Sequence, residues 1–146
     1  MDTITLTFQG YYKEDNPLIE KEHSGSGIYA VYAGKPKPEK RCEINRLLYV
    51  GETGEIYKRL SNHERKEDWI KELSNDEILY FLIANTDCTD KERLRVQAAI
   101  INDCKPPCNS DYVDNFDFDD IQIQVNSKDK RHRTIKSDFI VKRNVS

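Results

Sequence analysis

The chain has 146 residues and a mass of 17.1 kDa, with 37% hydrophobic and 34% charged side chains, which fits one domain of ordinary size and leaves little room for a second. Mean hydropathy is −0.80, and the longest clearly apolar run, Ile78 to Ala84, falls far short of the roughly 20 residues of a membrane-spanning helix. Lys and Arg total 23 against 26 Asp and Glu, a net charge of −3, so a site for a polyanion has to be a local patch rather than a property of the whole surface.

The start, Met1-Asp2-Thr3-Ile4, lacks the basic and apolar stretches of a secretory signal, which makes the cytoplasm the expected compartment and no membrane the expected association. Residues Thr3 to Gln9 alternate strictly, with Ile4, Leu6 and Phe8 on one face and threonines on the other, the pattern of a half-buried strand. A polar stretch ending in Ser24-Gly25-Ser26-Gly27 leads to a second strand, Ile28 to Ala33, expected to stop before Gly34-Lys35-Pro36-Lys37-Pro38. A charged loop of about ten residues then precedes a third strand, Leu47 to Gly51. From Gly54 the spacing turns helical, predicting one or two helices between about Glu55 and Leu73. Glu77 to Ala84 reads as a fourth strand. Thr89-Asp90-Lys91-Glu92 is a capping box that opens a helix running to about Cys104, where Pro106-Pro107 stops it.

Beyond the proline pair, Asp111 to Asp120 holds five Asp and no basic residue, and Ile121 to Val125 reads as a last short strand. Ser127 to Arg143 carries seven Lys and Arg against two Asp, a net of +5. Residues 1–126 are therefore expected to form one domain with an N-terminal strand extension, and 127–146 a basic C-terminal tail. The order β, β, β, α(α), β, α, β predicts an α+β fold with a small, largely antiparallel sheet, a three-stranded core plus edge strands, flanked by helices. Four cysteines and three histidines show no Cys-x-x-Cys pair, which argues for free thiols rather than a zinc site.

Pairing the second and third strands as a hairpin predicts Tyr29 opposite Tyr49, either as aromatic packing or with converging hydroxyls. Arg59 and His63 stand four apart and share one face of the helix after Gly54. On the capped helix, Leu94, Ala98 and Ile101 form the expected sheet-facing stripe, and Gln97 falls inside it, a polar residue that needs partners, solvent or a function. Lys35, Lys37, Lys40, Arg41 and Lys58, with Lys130, Arg131 and Arg133 of the tail, are candidate phosphate contacts.

Gly27-Ile28-Tyr29, Tyr49-Val50-Gly51, Arg59, His63 and Lys105-Pro106-Pro107-Cys108-Asn109, in this order over residues 27 to 109, resemble the signature of the GIY-YIG nuclease superfamily. The resemblance implies a three-stranded antiparallel sheet flanked by helices and hydrolysis of DNA phosphodiester bonds with one divalent cation, Mg²⁺ or Mn²⁺. By position Tyr29 and Tyr49 match the two motif tyrosines, of which one activates the attacking water, Arg59 matches the arginine that neutralises phosphate charge, and His63, as in restriction-endonuclease members, assists proton transfer or holds the phosphate. Gly51 belongs to the second motif and Asn109 is a structural brace. The family's metal-ligating glutamate falls at Gln97, a neutral amide that holds Mg²⁺ weakly. Glutamine there fits a nuclease scaffold made to bind without cutting, or a natural member without cleavage. The expected function is thus a DNA endonuclease weak or silent as written, with an inactive DNA-binding or regulatory module as the alternative. Glu52 reads as a solvated loop acid. A dimer is compatible with cutting both strands, and the sequence shows no dimer face.

Overall fold

In the computed structural model, residues 1–127 and 134–145 are described. The elements follow in the order β1 (Asp2–Lys13), α1 (Leu18–Glu22), β2 (Gly27–Lys37), β3 (Arg41–Thr53), α2 (Ile56–Ser61), α3 (Lys66–Lys71), β4 (Ile78–Asn85), α4 (Asp90–Cys104), β5 (Ile121–Ser127) and β6 (Asp138–Val141). The six strands make one sheet in the order β3-β2-β4-β1-β5-β6. All neighbours run antiparallel except β1 and β5. The fold is α+β with a mostly antiparallel sheet and few helices, and no helix among the described residues is long and apolar enough to cross a membrane.

Strand β1 serves two partners. Asp2 to Phe8 lie beside β5, whereas Gln9, Tyr12 and Lys13 register with β4 across an irregularity. Gly10 sits at that irregularity with φ +139, and a Cβ there would collide with the Phe81 carbonyl, so only glycine lets the strand carry on. The alternation that ends at Gln9 in sequence therefore does not end the strand.

Strand β2 is buried on both faces from Gly27 to Gly34, and its alternation divides the core. Ile28, Ala30 and Tyr32 join Leu6, Phe8, Val50, Leu82, Val96, Ile100 and Ile123 on one side. Tyr29, Val31 and Ala33 join Leu48, Ile56, Leu60, Trp69, Phe81 and Ile83 on the other. Helix α4 thus covers the first face, while α2 and α3 cover the second. Thr89 caps α4, its hydroxyl accepting from the Glu92 amide, and Lys105 ends it in the left-handed conformation ahead of the prolines.

Four sequence expectations change. Strand β2 continues through Gly34 and Pro36 to Lys37, because its pairing with β4 ends at Gly34 and only β3 lies beside Pro36, where a missing amide is tolerated. The charged loop is mostly strand, since β3 begins at Arg41 and leaves only Pro38 to Lys40 as the turn. Helix α1 occupies part of the polar stretch before Ser24. The basic segment is no simple tail: β6 pairs with β5, and Ile135, Phe139 and Val141 are buried in the core. Lys130, Arg131 and Arg133 lie outside the described residues.

The stripe expected on α4 is buried at Ala98 and Ile101, but not at Leu94, and it is wider than expected. Leu94 is only half-buried, whereas Val96, Ala99 and Ile100 are enclosed, because α4 packs against β5 and β6 as well as β2 and β3. Two arginines are buried beside them. Arg93 reaches Glu52 at 3.0 Å, Asp90 and the Cys88 carbonyl, and Arg95 reaches Asp2 at 2.7 Å and the carbonyls of Asp119 and Asp120. They tie the helix to the end of β3 and to the start of β1.

Candidate functional site

The β2–β3 hairpin fixes the first part of the site. Its register sets Tyr29 against Gly51 and Val31 against Tyr49, so the two tyrosines are diagonal neighbours on one face rather than directly opposed. The reason is steric. The Tyr29 ring lies across Gly51, and a Cβ at residue 51 would overlap its Cζ and Oη atoms. Glycine is needed there to leave room for the ring, and the two aromatic centroids stand 6.2 Å apart.

Helix α2 and the turn after it supply the second part. The Tyr29 hydroxyl lies 2.6 Å from His63 Nε2, and both residues are buried. Nδ1 of His63 accepts the backbone amide of Arg65 at 3.0 Å. An amide can only donate, so the proton of the neutral ring sits on Nε2 and is given to the Tyr29 oxygen. The positive charge of Arg59 acts on the same hydroxyl and favours its ionised form. With the His63 ring donating to its oxygen, Tyr29 keeps its own O–H proton for a further acceptor.

Charge in the cluster follows from burial. Desolvation raises the Tyr29 pKa above the usual phenol value, Tyr49 adds to the rise, and Arg59 opposes it, so Tyr29 is a phenol at neutral pH. Burial, helped by the neighbouring Arg59 charge, lowers His63 from 6.5 to about 4, so the ring is neutral. Trp69, the single tryptophan, packs at a tilt against His63 with centroids 4.4 Å apart and against Tyr49 at 5.3 Å, closing the inner wall. Arg59 faces a shallow polar recess of about 310 Å³ lined by Thr53, Glu55, Lys58 and Asn62. Its partner there is the exposed Glu64 at 3.1 Å, a surface ion pair that an incoming anion can exchange.

Asn109 ties the loop after α4 to the outer edge of β3. Its side chain accepts from the Val50 amide and donates to the Val50 carbonyl, both at 2.9 Å, and the Cys108 amide donates to Leu48. The loop thereby takes the place of a missing neighbouring strand beside Tyr49.

Gln97 stands apart from this cluster. It lies on α4, half-buried, and its side chain makes no hydrogen bond with a described residue. One turn earlier is Arg93, whose partner Glu52 follows Gly51 directly and is not a solvated acid. The donors here do not fit a resident Mg²⁺. Gln97 offers a neutral amide, the Glu52 carboxylate is committed to a buried guanidinium, and no group of three or more His, Cys, Asp or Glu side chains converges among the described residues. None of the four cysteines forms a disulfide.

The structure therefore brings together Tyr29, Tyr49, Arg59 and His63 around Gly51, with Asn109 behind β3, and sets Gln97 on the helix of the opposite face. Lys58 pairs with Glu55 at 3.6 Å beside the recess. Lys35, Lys37, Lys40 and Arg41 lie at the far end of the hairpin. Sequence reasoning missed Trp69 as part of the site and Arg93 as the partner of Glu52. The arginine had a signal, since Asp90 stands three residues before it on a helix otherwise poor in exposed faces. Comparison with models of known families, with curated proteins and with solved structures finds no match for the chain.

Proposed function

We propose that the protein binds the phosphodiester backbone of DNA at a GIY-YIG-type site, as a cytoplasmic endonuclease scaffold whose cleavage is weak or silent because residue 97 is glutamine. The observation that carries this reading is the cluster around one hydroxyl: His63 Nε2 lies 2.6 Å from the Tyr29 oxygen, the Arg59 charge acts on the same group, and Arg59 with Lys58 also lines a polar recess. A phosphate in that recess meets a guanidinium whose present partner is exposed. The order of the sequence words and the bracing of β3 by Asn109 agree with such a site.

The roles follow from chemistry at each atom. Arg59 supplies a charge that never leaves, His63 orients the phenol as a neutral donor, and Tyr49 completes the aromatic wall with its hydroxyl toward the same face. Hydrolysis calls for a stronger hold on the phosphate and its attacking water than a neutral amide at residue 97 provides, so binding without turnover is the expected state.

Two assays test this. Plasmid nicking with Mg²⁺ is compared for the protein and for Gln97→Glu, each with a chelator control, and DNA binding is measured for the protein and for Arg59→Ala. Nicking confined to Gln97→Glu, together with binding lost in Arg59→Ala, supports the nuclease scaffold. Binding that depends on Arg59 without nicking from either protein moves the assignment to a binding module. DNA binding that ignores Arg59 sinks both.

A further inference from the structure

At the other end of the sheet, the second half of β1 and the base of the β2–β3 turn enclose a half-open cavity of about 460 Å³. Lys13, Lys37, Lys40 and Arg41 line it against a single carboxylate, Asp15, in a chain whose total charge is −3. Lys37 stands 3.9 Å from Glu43, and Arg41 donates to the Pro38 carbonyl at 3.4 Å. Neither contact removes the local excess of positive charge. Two aromatic rings, Tyr11 and Tyr80, form part of the wall. Tyr80 is 2% exposed, and its hydroxyl is a buried polar atom without a hydrogen-bond partner among the described residues.

Such a hydroxyl is costly unless something outside the chain satisfies it. Cations, aromatic walls and an unsatisfied hydroxyl around a cavity of this size match a small ligand that is anionic at one end and flat at the other. We propose that this cavity is a binding site for a free nucleoside monophosphate, with its phosphate held by Lys13, Lys40 and Arg41, its base against the Tyr11 ring, and the Tyr80 hydroxyl as a polar contact. The site is separate from the Tyr29 cluster. Lys37 lies eight positions beyond Tyr29 along β2, about 26 Å at about 3.3 Å per strand residue, and Tyr80 belongs to the core on the opposite face from Tyr29.

The test is calorimetric titration of the full chain with AMP, adenosine and inorganic phosphate at low salt. AMP is expected to bind, phosphate to bind more weakly and adenosine to be silent. Tyr80→Phe removes only an unpartnered oxygen, so its melting temperature without ligand should equal or exceed that of the parent, while AMP affinity falls about tenfold. Lys13→Ala with Arg41→Ala should lower AMP affinity further, and Arg59→Ala should leave it unchanged, which separates this site from the DNA site. The proposal is overturned if AMP does not bind, if phosphate binds as well as AMP, or if Tyr80→Phe melts lower with AMP affinity intact. A short single-stranded oligonucleotide that displaces AMP from the Arg59→Ala protein would assign the cavity to nucleic-acid backbone and overturn the mononucleotide reading.

Discussion

The neutral His63 makes folding depend on acid in a definite direction. In the folded chain its pKa is lowered from 6.5 to about 4, first by burial and then by Arg59. Between those values an unfolded chain takes up a proton that the folded chain refuses, so acidification favours unfolding. The stability tied to His63 is complete above about pH 6.5, declines as pH falls toward 4, and declines no further below that. At about 1.36 kcal/mol for each tenfold difference in proton affinity, the gap amounts to about 3 kcal/mol. The variant His63→Gln cannot titrate, so the parent-minus-variant difference isolates this contribution from that of the carboxylates. Urea unfolding followed by the fluorescence of Trp69, which lies 4.4 Å from the imidazole centroid, reads both proteins between pH 4 and 7. The difference in unfolding free energy should shrink by about 3 kcal/mol from pH 7 to pH 4. A constant difference across that range would refute the desolvated, neutral imidazole, and with it the hydrogen-bond direction from Nε2 to Tyr29.

Three other outcomes are expected. Gly51→Ala puts a methyl group into the Tyr29 ring, and chemical denaturation should show a loss of about 1–3 kcal/mol together with loss of the Tyr29–His63 contact by NMR. Asn109→Ala removes both bonds to Val50, and a loss of about 1–3 kcal/mol with faster exchange of the Val50 amide should follow. Truncation after residue 126 strips Ile135, Phe139 and Val141 from the core, each worth about 1.5–3 kcal/mol of burial, and circular dichroism should show a protein that has lost its cooperative melt rather than one merely short of basic charge.

Most of the sheet was legible because its strands carry local signals. The alternation over Thr3 to Gln9, the apolar run in β4 and the capping box at Thr89 are each readable within about ten residues. The missed parts depend on distant neighbours. Nothing local tells Gly10 that the Phe81 carbonyl lies beside it, or tells Pro36 that β4 has already ended. Strand β6 is hidden among basic residues because only Phe139 and Val141 face inward, a two-residue signal that a charge count overwhelms.

The site was legible at the level of which residues meet, and not at the level of how. Symmetric pairing of the hairpin aligns Tyr29 with Tyr49, but two register shifts between Val31 and Gly34 move the alignment by two residues. Gly51, rather than a tyrosine, is what Tyr29 faces. That offset is what gives the site its chemistry. A ring laid over glycine carries its hydroxyl to the turn after α2, within 2.6 Å of His63 and into the field of Arg59. The motif glycine and the buried histidine are therefore parts of one arrangement. A side chain at residue 51 and a charge on His63 should disturb the same hydrogen bond from opposite ends.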